Sequence, residues 1–544
     1  MHKQLKFLMK LDGDKKSTLK VFNKLTISSV LLTLLVSIPA LILISHIFAK
    51  SENWQHLVDT VLFTYIYNSL YIMFGVALLT SIMGFSTAYI TTFYKFKGSK
   101  FFHYALILPF AIPTYIMSYI YGGMFDITGS VTTFILDIMG KSLDEVNFFD
   151  IMSIEGAIII MSLVLYPYVY LISKTYLKAE SSSIIDASRT MGLSNFQIFY
   201  KVIIPISRPA IIAGVILAVM EAVADFGVMD YYGVSTFVTG IFRTWLGMGS
   251  VEDASKLASM LMLFIFLLIF IERFQRRNKQ YKSSGKDFKP IIKQKLSGVK
   301  ELLAVFACFI PFFFGFLLPF TQMSYWFYIS YEEIIDDDFL RILLQTLSLG
   351  IFTSILITIL AFIITYNVRV HKSKIAEYLV QIVKLGYSIP GAVVAVGILS
   401  FFSVIDKGLD ILLSGTIVAI IFGYVVRFIA ISINNYESGF SKIPKTYDDA
   451  CKTMQIGGFQ TFFKMIFPLL KSSILVSIII VFIEVMKELP LTMILRPFNF
   501  DTLPVLSYEL VNQSQIIESS VPAMFIVLFG IISVLILAKK MVKD

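Results

Sequence analysis

The sequence predicts an all-α polytopic membrane protein of about twelve transmembrane helices, arranged as two tandem six-helix units. Three observations carry that prediction. Of the 544 residues, 57% are hydrophobic and only 15% charged, with mean hydropathy +0.78, whereas charged residues make up roughly a quarter of a soluble globular chain. Long runs such as Leu25–Phe48 and Leu257–Ile271 contain no Asp, Glu, Lys or Arg, and about 20 largely apolar residues suffice to cross a bilayer. Finally, one polar segment is written twice: residues 186–205 read DASRTMGLSNFQIFYKVIIP and residues 449–468 read DACKTMQIGGFQTFFKMIFP, identical at ten of twenty positions and 263 residues apart.

Taken in order, apolar stretches place spans near 25–49, 66–92, 102–124, 154–176, 206–226, 254–271, 301–320, 342–366, 376–402, 412–434, 470–490 and 520–538. The first follows a Lys-rich segment (Lys3, Lys6, Lys10, Lys15, Lys16, Lys20, Lys24). A cleaved signal peptide is the rival reading, but the apolar run is longer than a signal core and no small-residue cleavage site stands out, so a retained helix is expected. The resulting division is a basic cytoplasmic N-terminus (1–24), a first unit (25–271), a basic cytoplasmic linker (272–300) and a second unit (301–544).

Basic residues orient a membrane protein toward the cytoplasm. The linker 272–300 holds ten basic and two acidic residues; Lys95, Lys97 and Lys100 follow span two, Arg369, Lys372 and Lys374 follow span eight, and Lys539, Lys540 and Lys543 follow the last. The opposite connections are acidic: Asp144, Glu145 and Asp150, then Glu332, Glu333, Asp336, Asp337 and Asp338. Both termini and both polar repeats are thereby expected on the cytoplasmic side. The net charge of +9 then reflects orientation and contact with lipid headgroups, not nucleic-acid binding, and the linker itself is expected to be solvated near anionic lipid. The two cysteines, Cys308 and Cys451, lie in different halves without paired spacing, which indicates neither a disulfide framework nor a metal site.

The duplication extends past the polar segment. Ala111-Ile112-Pro113 answers Ser388-Ile389-Pro390, and Asn68-Ser69-Leu70 answers Gln345-Thr346-Leu347, both at an offset of 277. The excess over 263 falls in the acidic connection 125–153. Halves that begin on the same side relate by an axis along the membrane normal, with a path between them as the expectation.

Within the first copy, helical character runs from Ser182 to Met191, Gly192 breaks it, and Ser194 with Gln197 forms a capping-box pattern that restarts a helix through about Lys201. Pro205 is expected to stop or turn the chain at the membrane surface. Two short helices with a tight turn should therefore project into the cytoplasm. Duplication by itself preserves some likeness, so pure packing is the plain alternative.

Asp186-Ala187-Ser188, Gly192 and Pro205, with Asp449-Ala450-Cys451 and Pro468 in the second copy, resemble the EAA loop of type I ABC-importer permeases, with Asp in place of the usual Glu. The second copy departs at Gln455, where that family has Gly, and Gly457 and Gly458 follow. Further segments are similar to fused iron(III) ABC permeases: Ala224-Asp225-Phe226-Gly227, Tyr232-Gly233-Val234, Phe237, Thr239 to Trp245, and Lys487-Glu488-Leu489-Pro490-Leu491-Thr492 continuing through Leu495 to Leu503. The resemblance implies two type I ABC permease units with coupling loops at 180–205 and 442–468. It also implies docking of two cytoplasmic ABC ATPase subunits, one per loop, an extracytoplasmic substrate-binding protein, a bacterial inner-membrane location, and iron(III) as substrate. Permeases for thiamine, phosphonates, polyamines or sulfate share parts of the architecture and are the alternatives.

Charges inside spans are costly and usually face a bundle interior or an aqueous path. Glu221 and Asp225, and at equivalent positions Glu484 and Glu488, are spaced to share one helix face. Four carboxylates converging would attract a cation, with Lys487 placed to pair with Glu484; anchoring of external loops is the plain alternative. The five histidines (His2, His46, His56, His103, His371) form no ligand-spaced pair, so the residues alone give no metal centre.

The chain lacks G-x-x-x-x-G-K-[ST], the phosphate-cradling loop of P-loop ATPases. It is expected not to be an enzyme and to bind no cofactor itself, with ATP and Mg on the partner ATPases. A twelve-helix secondary transporter is the competing class, and it gives the duplicated loop no task.

Overall fold

The computed structural model describes residues 24–47, 53–146, 149–179, 187–277, 293–371, 374–441, 443–444, 446–447 and 465–543. Its helices are α1 (Lys24–His46), α2 (Phe63–Phe93), α3 (Ser99–Ala105), α4 (Thr114–Phe125), α5 (Ser130–Met139), α6 (Ile154–Ala179), α7 (Ile204–Ala224), α8 (Gly227–Tyr231), α9 (Phe237–Phe242) and α10 (Val251–Arg277). The second half continues with α11 (Val299–Phe312), α12 (Leu318–Ile334), α13 (Asp337–His371), α14 (Lys374–Leu385), α15 (Gly391–Leu409), α16 (Ile417–Ser441), α17 (Phe467–Lys487), α18 (Pro490–Leu495), α19 (Leu503–Asn512) and α20 (Ile516–Lys543). Among the described residues eleven helical stretches are long and apolar enough to cross a membrane, and a bent pair, Ser99–Ala111 with Thr114–Met139, makes a twelfth.

The bent pair corrects the expectation of a continuous third span. Its two parts meet at 90° around Pro113, whose φ of −57° and ψ of 145° lie outside the helical region, with Ile112 extended before it. Proline supplies no backbone N–H and pushes the residue before it toward extended geometry, so a helix cannot run through. The expected span 376–402 is broken in the same way: α14 ends at Leu385, and Pro390 takes φ −56°, ψ 146° before α15 begins. The repeated Ile-Pro landmarks are therefore paired helix breaks.

The chain divides by packing into two compact units that do not coincide with the sequence halves. One joins residues 46–343 to 501–544; the other joins 1–45 to 344–500. The opening span of each half thus belongs to the unit formed mostly by the other half, α1 with α14–α18, and α11 and α12 with α2–α10. Polar and small residues attach α1: Asn367 Nδ2 donates to Ser29 Oγ at 2.6 Å, and Gly397 packs against the Pro39 carbonyl and Leu43.

In the larger unit α2, α6 and α7 pack on one another. Val169 of α6 sits between two glycines, and a Cβ on Gly84 of α2 or Gly214 of α7 would come within 2.6 Å of it. In lipid there is no hydrophobic drive between helices, and small residues let backbones approach for dispersion contact. The repeat offsets carry these positions to Ala361, Ser432 and Ser477, all fully buried in the other unit. Gly84→Leu should accordingly destabilise by about 1–3 kcal/mol through overpacking, read as a lowered thermal midpoint of the purified protein.

Over residues 293–300 the linker is mostly exposed, and it is also tethered to the first half. Gln294–Lys295 (β2) pairs in parallel with Tyr94–Lys95 (β1), Lys293 Nζ donates to the Thr91 carbonyl at 2.7 Å, and the Lys97 N–H donates to Glu301 at 2.9 Å. Residues 278–292 lie outside the described segment.

Candidate functional site

The first polar repeat folds as a capped hairpin. Residues 187–190 are helical, and Gly192 closes that turn at φ +80°. The Leu193 N–H donates to the Ser188 carbonyl at 3.2 Å, and the Gly192 N–H to the Arg189 carbonyl at 2.9 Å. This is the double bond of a Schellman motif, which satisfies carbonyls left open at a helix end. Among the described residues, its chain neighbours aside, no atom lies within 4 Å of a Cβ built on Gly192, so it is the left-handed backbone conformation that favours glycine. Ser194 then starts the next helix: its Oγ accepts from the Gln197 N–H at 3.3 Å, and its own N–H donates to Gln197 Oε1 at 2.9 Å. Ser194→Ala should cost about 1 kcal/mol and Gly192→Ala about 1–2 kcal/mol, both visible as faster proteolysis at this turn in the otherwise intact protein.

Pro205 does not end the hairpin, contrary to expectation. The helix runs unbroken from Asn195 to Ala224 over 30 residues. A widened π-turn at Ile198–Ile203 precedes Pro205, which takes a position in the first turn of α7. The missing N–H is accommodated there because the π-turn has already shifted the backbone bonding, with the Ile204 N–H donating to the Phe199 carbonyl five residues back. Pro468 sits likewise in the first turn of α17. One side of the hairpin is anchored, with Ile198 buried and Phe199 against Tyr89 and Phe85 at 4.6 and 6.0 Å between ring centres. The other side exposes Met191 (80%), Phe196 (77%) and Tyr200 (65%). Of the residues expected to couple, Ala187 is exposed and Ser188 buried; Asp186, Asp449, Ala450, Cys451 and Gly457 lie outside the described residues.

The carboxylate pairs do not share a helix face. α7 ends at Ala224 and α17 at Lys487, which leaves Asp225 (φ −76°, ψ 118°) and Glu488 (φ −73°, ψ 114°) extended just beyond. Each caps the next helix: Asp225 Oδ1 accepts from the Val228 N–H at 2.9 Å, and Glu488 Oε1 from the Leu491 N–H at 3.0 Å. Negative charge at a helix N-terminus is favourable. Glu221 and Glu484, one turn earlier, are half-buried, as is Lys487. Among the described residues no group of three or more His, Cys, Asp or Glu side chains gathers to hold a metal.

The two breaks are completed differently. In the larger unit Thr114, next to Pro113, donates its hydroxyl to Asp225. At the equivalent place beside Pro390 stands Gly391, and a Cβ there would collide with both Arg427 and Glu488. Arg427 Nη1 uses that space to reach Glu488 Oε1 at 2.8 Å, with both side chains nearly buried. Arg427 was not singled out from sequence; a lone arginine inside a predicted span was the signal available.

A family model described as binding-protein-dependent transport system inner membrane component matches residues 80–280 and 354–543. The chain is 24% identical over 476 residues to the Fe(3+)-transport system permease protein FbpB 2 of Haemophilus influenzae, covering 87% of this chain and 89% of that protein. It is 24% identical to the ferric transport system permease protein FbpB of Actinobacillus pleuropneumoniae, over 77% of this chain but 62% of that protein, so it spans less than two thirds of the latter. A probable sulfate transport system permease protein of Prototheca wickerhamii is 28% identical over 36% of this chain and 75% of its own. With two matched segments that together span most of its length, one in each half, this chain belongs to the family of binding-protein-dependent transport system inner membrane components.

Proposed function

We propose that this chain is the translocating subunit of an ATP-driven importer for iron(III), served by an extracytoplasmic binding protein and driven by two cytoplasmic ATPases, one on each polar repeat. The observation that carries the reading is the first hairpin, rigidly capped and anchored on one side and apolar and exposed on the other, within a chain whose family signature occurs twice. The names of the relatives that match over most of the chain support iron(III) as the substrate.

ATP and Mg belong on the partner subunits, and this chain contributes mechanical coupling. The helix from Asn195 to Ala224 is a rod of roughly 45 Å at 1.5 Å per residue. It links the exposed hairpin at one end to the Asp225 break at the other. An ATPase that closes on ATP and displaces the hairpin moves that break, where two helices join through one capped carboxylate. The distribution of Lys and Arg supports cytoplasmic termini and hairpins.

The test is ATP hydrolysis by the reconstituted complex of permease, ATPases and binding protein, with iron(III), thiamine, a phosphonate, spermidine or sulfate loaded in turn. Stimulation by iron(III) alone supports the reading. Stimulation by one of the others, with none by iron(III), replaces the substrate.

A further inference from the structure

A group of oxygen donors in the larger unit lies around the Asp225 break. Asp230 of α8 accepts a hydrogen bond from the Tyr508 hydroxyl of α19 at 2.6 Å. Asp225 lies five residues earlier, held by Thr114 and the Val228 N–H. Tyr119 of α4, which packs against α8, is only 2% exposed. Its hydroxyl has no hydrogen-bond partner among the described residues. It lies within electrostatic reach of both carboxylates, Asp225 and Asp230, and of the phenols Tyr115 and Tyr508. Its ring is held edge-on to Tyr231 at 4.9 Å and tilted against Tyr115 at 5.7 Å. Phe226, stacked on Phe242 at 3.7 Å and meeting Tyr508 at 5.8 Å, makes an apolar wall.

A buried hydroxyl without a partner costs about 1–3 kcal/mol, and an orphan of this kind calls for an explanation such as an ion that satisfies it. Two carboxylates supply negative charge, and the remaining donors are phenolic. Magnesium and calcium are served by carboxylates, carbonyls and water, and a phenol with an ordinary pKa near 10 stays protonated beside them. A trivalent cation is acid enough to displace the phenolic proton, as metal ions do for bound thiols and water. We infer that Asp225, Asp230, Tyr119 and Tyr508 form a transient hard-oxygen site for a trivalent cation, on the substrate's way through this unit. The inference rests on iron(III) being the substrate. When the cation binds, each phenol that ligates it releases one proton to solvent, and Tyr508 exchanges its hydrogen bond to Asp230 for the metal. No electron is transferred.

The experiment is titration of the purified full chain with iron(III) citrate, read by the visible phenolate-to-iron(III) charge-transfer absorption. The expected result is a saturable band that gallium(III) competes away and magnesium does not. Tyr119→Phe and Tyr508→Phe should each weaken binding at least about tenfold, in the range that loss of a metal-site partner produces, and the double variant should abolish the band. Both substitutions keep the ring and its packing, and a thermal midpoint close to that of the unmodified chain checks the fold. Asp337→Asn with Asp338→Asn, on an exposed acidic turn, should leave the band unchanged. No band in the unmodified chain, or one that survives the double Phe variant, overturns the inference. A band of the expected behaviour in a complex whose ATPase ignores iron(III) leaves the site standing and removes the substrate reading. Stimulation by iron(III) without the band does the reverse.

Discussion

Arg427→Met is expected to destabilise the unit formed by residues 1–45 and 344–500 by about 3–5 kcal/mol, the range seen when one partner of a buried ion pair is removed. Glu488 is 5% exposed, and its Oε1 receives both Arg427 Nη1 and the Leu491 N–H. Without the guanidinium, the carboxylate keeps the Leu491 N–H and loses the Arg427 charge. Glu488→Gln in the same background should recover much of the loss, because it removes the stranded charge and can still accept from Leu491. Urea or thermal unfolding of the purified protein measures both. If the single variant is as stable as the parent, Arg427 does not neutralise Glu488. Gly391→Ala provides an independent check, since the added methyl occupies the space through which the two side chains meet.

The second large effect concerns function. Met191→Asp with Phe196→Asp places charge on the exposed side of the hairpin without touching Phe199 or Ile198, which anchor it. Interface hot spots contribute more than about 2 kcal/mol each, and 1.4 kcal/mol is tenfold in affinity. ATPase binding by the double variant should fall at least about tenfold, with an unchanged thermal midpoint. Loss of binding together with a lowered midpoint would instead place these side chains in the folded core.

The sequence pattern located the spans well because lipid leaves few options: helices must satisfy their own backbone, and apolar length reveals them. It also located the hairpin, since Gly192, Ser194 and Gln197 each act through local geometry within a few residues. What it misread depended on context. Pro205 and Pro468 resemble helix stops, yet each follows a π-turn through which the helix continues, and nothing in the proline itself announces that turn. Pro113 and Pro390 break their helices and were read as lying within them. The spacing of Glu221 with Asp225, and of Glu484 with Glu488, suggests one face only while the helix continues, and it ends between them in both repeats.

Divergence between the copies was the least visible feature. Thr114 and Gly391 occupy matching places, and neither residue type announces a role. In one unit the hydroxyl itself meets the carboxylate; in the other, absence of a side chain admits an arginine 36 residues further along. Membership of the packing units was equally hidden, because no local signal says that α1 belongs with residues 344–500.

The most direct test of the proposed coupling is uptake of radioactive iron(III) into proteoliposomes that hold the permease with its ATPases, with binding protein outside and ATP inside. Uptake should require ATP in the unmodified complex, and it should fall at least about tenfold in the Met191→Asp, Phe196→Asp variant reconstituted at equal permease content. Uptake that proceeds without ATP, or that the variant supports at the unmodified rate, would contradict an ATP-driven importer coupled through this hairpin.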